Sequence, residues 1–230
     1  MLSYLKSIAE QARRELDGRS VAICVFAALA LIAVRYAGKG NPEGPFAGLG
    51  WWMLVNLSCY LALPVLFVKA FLREDLADHG LTVKGASKDW RLSLSLLAAM
   101  VPLILVAAGK PGFVKTYPLY LHGVDEARSM QYAWELVYLA HFLAVEFFFR
   151  GFLLHGLKRR FGWNAVLISL FPYVMIHFGK PAAETGGSIA AGLVLGVLSL
   201  RTGSVLPGFA VHAGAALLMD MLALRRSGFL

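Results

Sequence analysis

LAVEFFFRGFLLHG, residues 143–156, is the stretch on which the reading of this chain turns. Glu146 and Arg150 sit there inside a run of Phe, Leu, Val and Ala that is otherwise suited to a lipid bilayer. An ionisable side chain within a membrane span is expensive to keep and is by default a functional-site hypothesis. The spacing places both residues on one helix face, about 6 Å apart along the axis. Two readings follow from the pair alone. It is a structural ion pair in which each charge lowers the cost of the other, or Glu146 is the acid–base group of a buried site and Arg150 orients it.

Composition makes the membrane reading general. The 230 residues are 58% hydrophobic and only 16% charged, with a mean hydropathy of +0.65; a soluble domain has roughly half its residues apolar and about a quarter charged. The net charge of +8 does not point to nucleic acid, because Lys and Arg lie in short groups at the ends of apolar runs, where topology and anionic headgroups place them. Cys24 and Cys59 fall inside apolar runs without CxxC spacing and read as small buried hydrophobes.

Working outward, the pattern predicts an all-α, polytopic transmembrane bundle of about seven spans in a single domain, 1–230. Residues 1–20 are polar and carry Lys6, Arg13, Arg14 and Arg19, with Leu2, Leu5, Ala9, Ala12 and Leu16 at helical spacing; they predict an amphipathic helix on the membrane surface rather than a cleavable signal. A span needs about 20 mostly apolar residues. The expected spans are 21–36, 51–72, 92–108 (with Pro102 as a tolerated kink), 131–157, 163–178, 188–200 and 205–224. A polar connection, 110–130, precedes the fourth. Trp51, Trp52 and Trp90 stand at span ends, as in an aromatic belt. If the spans alternate, the N-terminal segment, the connection 73–91, Lys158-Arg159-Arg160 and Arg201 fall on one side, which the Lys/Arg bias makes cytoplasmic. Arg225 and Arg226 then violate the rule.

Further polar residues lie in the later spans. His177 ends the fifth, in FPYVMIHFGKP, and His212 lies within the seventh, in GFAVHAGAA. A lone histidine on an apolar helix is usually a hydrogen-bonded core residue, but two on spans able to converge on one glutamate point to a site. Counting about 1.5 Å per residue from Lys158 puts Glu146 about 18 Å deep, with His177 deeper and His212 shallower. His141 and His155 point away from Glu146 at about 100° per residue and belong to the lipid or packing face. His79 and His122, in connections, are expected to be solvated. Glu146, His177 and His212 are also a conceivable three-ligand zinc set with one open position, although the chain contains no HExxH.

EFFFRG at 146–151, YVMIH at 173–177 followed by FGKP, and His212 after the TGSVLP run together resemble the glutamic intramembrane protease family. That family comprises type II CAAX prenyl proteases and the bacterial Abi and bacteriocin-processing proteins. Its motifs are a Glu pair followed by xxxR, an aromatic residue with xxxH, and HxxxN or a variant; the similarity covers roughly residues 131–220. Two positions depart from the pattern: Val145 stands where the first Glu is usual, and Ala216 where Asn is common.

The resemblance implies hydrolysis of a peptide bond in a membrane-anchored protein or peptide, in a multi-pass protein of a bacterial inner membrane with its N-terminus cytoplasmic, by a metal-free mechanism. Glu146 would take a proton from water, His177 would position that water, His212 would donate to the oxyanion, Arg150 would hold Glu146 and Tyr173 would support them. Preorganised donors of this kind count for more in a low dielectric. A sorting peptidase of the myxosortase type is one branch of the resemblance. The alternative is an inactive relative that binds a membrane peptide or acts as an immunity or scaffold protein, favoured by Val145 and Ala216. A proton-coupled transporter would need paired repeats that the chain lacks.

Overall fold

The computed structural model describes residues 1–38, 45–110, 112–114, 116–118 and 128–228. Most of the 110–130 connection, His122 included, lies outside the described residues. Among them the chain is all helical: α1 (Leu2–Glu15), α2 (Gly18–Tyr36), α3 (45–72), α4 (Trp90–Ala108), α5 (128–161), α6 (Ala165–Met175), α7 (Ala182–Thr202) and α8 (Leu206–Arg226).

The surface helix is shorter than its pattern predicts. The chain extends at Leu16, and Asp17 restarts it by accepting from the Ser20 amide at 3.0 Å, so residues 18–20 join the first span. Pro102 lies inside α4, which continues through it. Among the described residues six stretches are long and apolar enough to cross a bilayer, where the pattern predicts about seven. The difference lies in Ala133–Met175, which holds the expected fourth and fifth spans together. The chain reverses there at Gly162 (φ 53°). Val166 then meets a Cβ built on Gly196 near Leu154, and Tyr173 meets Phe149 and Gly192, so α6 runs back antiparallel to α5. With 11 residues α6 is about 16 Å long, roughly half the hydrocarbon thickness.

α5 is the centre of the bundle. Every residue from 144 to 157 is buried, as expected of a helix that is apolar all round. α2, α3 and α6 surround it with Ile23, Ala27, Tyr60, Val68, Val166 and Tyr173, while α8 packs along α4 and α5. Small residues allow close approach: a Cβ on Gly192 would fall 2.4 Å from Leu170 Cδ1, and one on Gly196 2.9 Å from Val166 Cγ1. α5 is not a uniform α-helix. It is π-wound from Phe147 to His155.

The basic segments expected on one side do meet at one end of the bundle. Arg19 pairs with Glu74 at 2.7 Å, Arg201 with Asp89 at 2.9 Å, and the Val205 amide donates to Gly80 O at 2.9 Å. Arg225 and Arg226 end α8, the helix that starts at this end.

Two expectations fail here. His79 is 1% exposed rather than solvated, because its loop folds in under α5, and its Nε2–H donates to Glu74 Oε2 at 2.8 Å. Burial pushes the His79 imidazole below its ordinary value, whereas Arg19 and then His79 hold the Glu74 carboxyl down at about 2. Cys24 is exposed, since α2 lies at the edge of the bundle with Val25, Leu29 and Ile32 also facing outward; Cys59 is buried as expected.

Gly85 (φ +83°) lies under the end of α7, where a Cβ would fall 2.2 Å from Thr202 O. Gly85→Ala is expected to cost about 2 kcal/mol, measured as a lower melting temperature in detergent. An unchanged melt would show that this contact does not hold the loop to α7.

Candidate active site

Glu146 is the last α-helical residue of α5 before the π stretch and is fully buried. Its Oε1 accepts two N–H donors: Arg150 Nη1, one turn on, at 3.1 Å, and His212 Nδ1, from α8, at 2.9 Å. Its Oε2 has no hydrogen-bond partner among the described residues. Arg150, 2% exposed, lays its guanidinium on the Tyr173 ring, with Cζ 3.8 Å from the centroid. The cost of burying the carboxylate is thus offset by one full charge, a second N–H donor and an aromatic face, as a charge without water requires.

α8 supplies two groups to this contact through one face. Gly208 and His212 are one turn apart; the second bonds Glu146, and the first makes room for it, because a Cβ on Gly208 would fall 2.8 Å from Oε2. Phe142 packs against His212 with ring centroids 4.7 Å apart. Tyr173 joins α6 to the group. Its ring is 6.2 Å from that of His212 and 4.7 Å from that of His177. His177 follows the end of α6 and folds back, with Nδ1–H donating to Tyr173 O at 2.8 Å.

All five residues singled out from the sequence therefore lie in one connected cluster. Glu146, Arg150 and His212 meet directly, whereas His177 is linked to them through Tyr173. His141 and His155 lie on the packing face and not on the lipid face: His141 packs on Trp52, and His155 Nε2 meets Ser199 Oγ at 3.0 Å. Val145 belongs to the apolar core around Tyr60 and Phe148, and Ala216 packs beside Trp134, Tyr138 and Phe142. Among the described residues no three of His, Cys, Asp and Glu are gathered as a metal-ligand set. Gly208 escaped the sequence reading; its position one turn before His212 was the available signal. Ser199, whose Oγ also reaches Arg150 O at 3.5 Å, carried none.

Fold and site together define a polytopic helical membrane protein with a carboxylate, a guanidinium and an imidazole gathered in its buried interior. Within it, residues 129–218 match the family model described as Type II CAAX prenyl endopeptidase Rce1-like, and that segment contains all five residues. The resemblance read from the motifs is borne out, and this part of the chain is CAAX-protease-like. Comparison with curated proteins and with solved structures finds no match.

Removing one member of a buried pair leaves the other charged and unpaired. Arg150→Met is expected to cost about 3–5 kcal/mol in the unfolding equilibrium, and Arg150→Met with Glu146→Leu less than Arg150→Met alone. A double variant as unstable as the sum of the singles would show that the two do not interact. Gly208→Ala should displace the Glu146 carboxylate at far smaller cost to the fold, since only one methyl is added.

Proposed function

We propose that the chain is an intramembrane endopeptidase that hydrolyses a peptide bond in a membrane-anchored protein or peptide, using a water activated by Glu146. The observation that carries this reading is the division of labour at the carboxylate: Oε1 is occupied by two donors, and Oε2 is left without a protein partner among the described residues. Its place within the CAAX-protease-like segment supports the reaction class.

In this scheme Glu146 Oε2 takes a proton from water as the water oxygen bonds to the scissile carbonyl carbon, and the carbonyl electron pair moves to oxygen. His177, whose Nδ1–H is committed to Tyr173 O, has Nε2 left to accept a hydrogen bond from the water's second O–H and so aim the water. His212 holds Glu146 through Nδ1; its Nε2, when protonated, donates to the oxyanion. Collapse breaks the C–N bond as Glu146 returns its proton to the leaving amine. Arg150 holds Glu146 in alignment through its bond to Oε1, and Tyr173 supports Arg150 and His177. Every step uses the chain's own side chains and one water.

The positive-inside rule orients the protein in a cell membrane with its N-terminus cytoplasmic, since Arg19, Arg201 and the 73–91 connection gather at one end. The second reading, an inactive relative that binds a membrane peptide, draws on Val145, which leaves a single carboxylate in the site.

Reconstituted wild-type protein is expected to cleave candidate membrane-anchored substrates. Glu146→Gln should lose about a hundredfold or more, and His212→Ala and His177→Ala should be strongly impaired at equal expression. Cleavage that survives all three changes overturns the mechanism. Peptide binding without cleavage in the wild type would favour the second reading, and activity abolished by a strong chelator would refute the metal-free scheme.

A further inference from the structure

The π-wound stretch of α5 starts directly after Glu146, contains Arg150 and runs nine residues to His155. Such winding is rare, is usually confined to a single turn and is often found at functional sites. Relaxing it to α would rotate Arg150 and all that follows relative to Glu146. Something outside the helix must therefore favour it.

Three residues from two other segments converge on its far end. Arg19, from the first turn of α2, donates through Nη1 to Gly156 O, the carbonyl just past the π stretch. The same guanidinium is clamped on its other edge by Glu74, with Nε to Oε1 at 2.9 Å and Nη2 to Oε2 at 2.7 Å. Glu74 in turn accepts from His79, whose ring lies within 20° of parallel to that of Phe152, with centroids 6.4 Å apart. The His79 loop follows the π stretch closely. Its carbonyl lies 2.7 Å from where a Cβ on Gly151 would be, and Gly80 lies against His155. Only glycine at 151, the residue after Arg150, admits the loop at that distance.

None of these three residues is bonded to Glu146, His177 or His212, so none has a part in the chemistry itself. A planar bidentate guanidinium with a third donor to spare fits the geometry, and lysine has no equivalent. We propose that Arg19, Glu74 and His79 are positioning residues, which hold the π register of α5 and thereby bring Arg150 and Glu146 into line with His212. The activity arm of this proposal rests on the endopeptidase reading; the structural arm rests on geometry alone.

The test compares Arg19→Lys, Glu74→Gln and His79→Phe with wild type in nanodiscs, by amide hydrogen exchange and by turnover of a substrate that the wild type cleaves. Exchange across 147–157 is expected to rise about tenfold while that of 182–202 stays unchanged. In the same variants kcat should fall roughly tenfold to a hundredfold with KM within about twofold. Unchanged exchange in a folded variant overturns the proposal, as does exchange that rises equally in every helix, which would mark a general staple of the fold. Faster exchange at 147–157 with kcat retained also overturns it. A wild type that cleaves nothing counts against the endopeptidase reading and leaves the exchange pattern to decide the positioning role. If Glu74→Gln fails to fold, Arg19→Lys carries the comparison, because it keeps the charge and loses only the fork.

Discussion

A carboxylate buried away from bulk solvent has to find its counter-charge and most of its hydrogen bonds within the protein, and much of this structure serves Glu146 in that sense. Arg150 and His212 both bond Oε1, Tyr173 covers the other side of Arg150, and Gly208 yields the space that the carboxylate occupies. These contributions come from α5, α6 and α8. None of them alone would repay the desolvation of the charge. The convergence of three helices on one side chain is thus an energetic requirement before it is a catalytic arrangement.

That requirement sets how the surrounding helices pack. A charge pair can sit deep in a bilayer-spanning helix when the helix itself is withdrawn from lipid, and α5 is buried over 144–157. Its phenylalanines fill the space towards α2 and α3: Phe152 meets Phe26 and Phe67, and Phe148 meets Tyr60. On the other side glycines at 192 and 196 let α7 approach α6 closely enough to close the shell. In lipid such contacts rest on van der Waals packing rather than on exclusion of water, and small residues matter correspondingly more.

The two ends of the bundle are organised differently. At the basic end, loops are tied to helix ends by several charged bonds and backbone contacts, from Arg19–Glu74 to Arg201–Asp89 and Val205–Gly80. At the opposite end Tyr117 donates to Glu184, which also pairs with Lys180 at 2.6 Å, and Thr185 Oγ1 donates to the His177 carbonyl at 2.9 Å. His177 thus stands between the buried group and this polar end. The proposed hydrolysis needs water, and a polar rim beside the residue assigned to aim that water is chemically consistent with the scheme.

By itself the sequence determined the membrane class, the helical architecture and most of the spans, because twenty apolar residues in a row admit few other structures. It also marked Glu146, Arg150, Tyr173, His177 and His212, since charges and imidazoles are costly in lipid and their spacing matched a known pattern. Tertiary structure alone decided what those residues touch. His212 reaches Glu146 across 66 positions, and among the described residues His177 is joined to the pair through Tyr173; depth counting along separate helices cannot resolve either contact. The π winding of 147–155, the return of α6 at Gly162 and the burial of His79 beneath Gly151 were equally invisible. Each depends on which neighbour occupies the space beside a backbone, and the hydrophobic period of one segment carries no record of another.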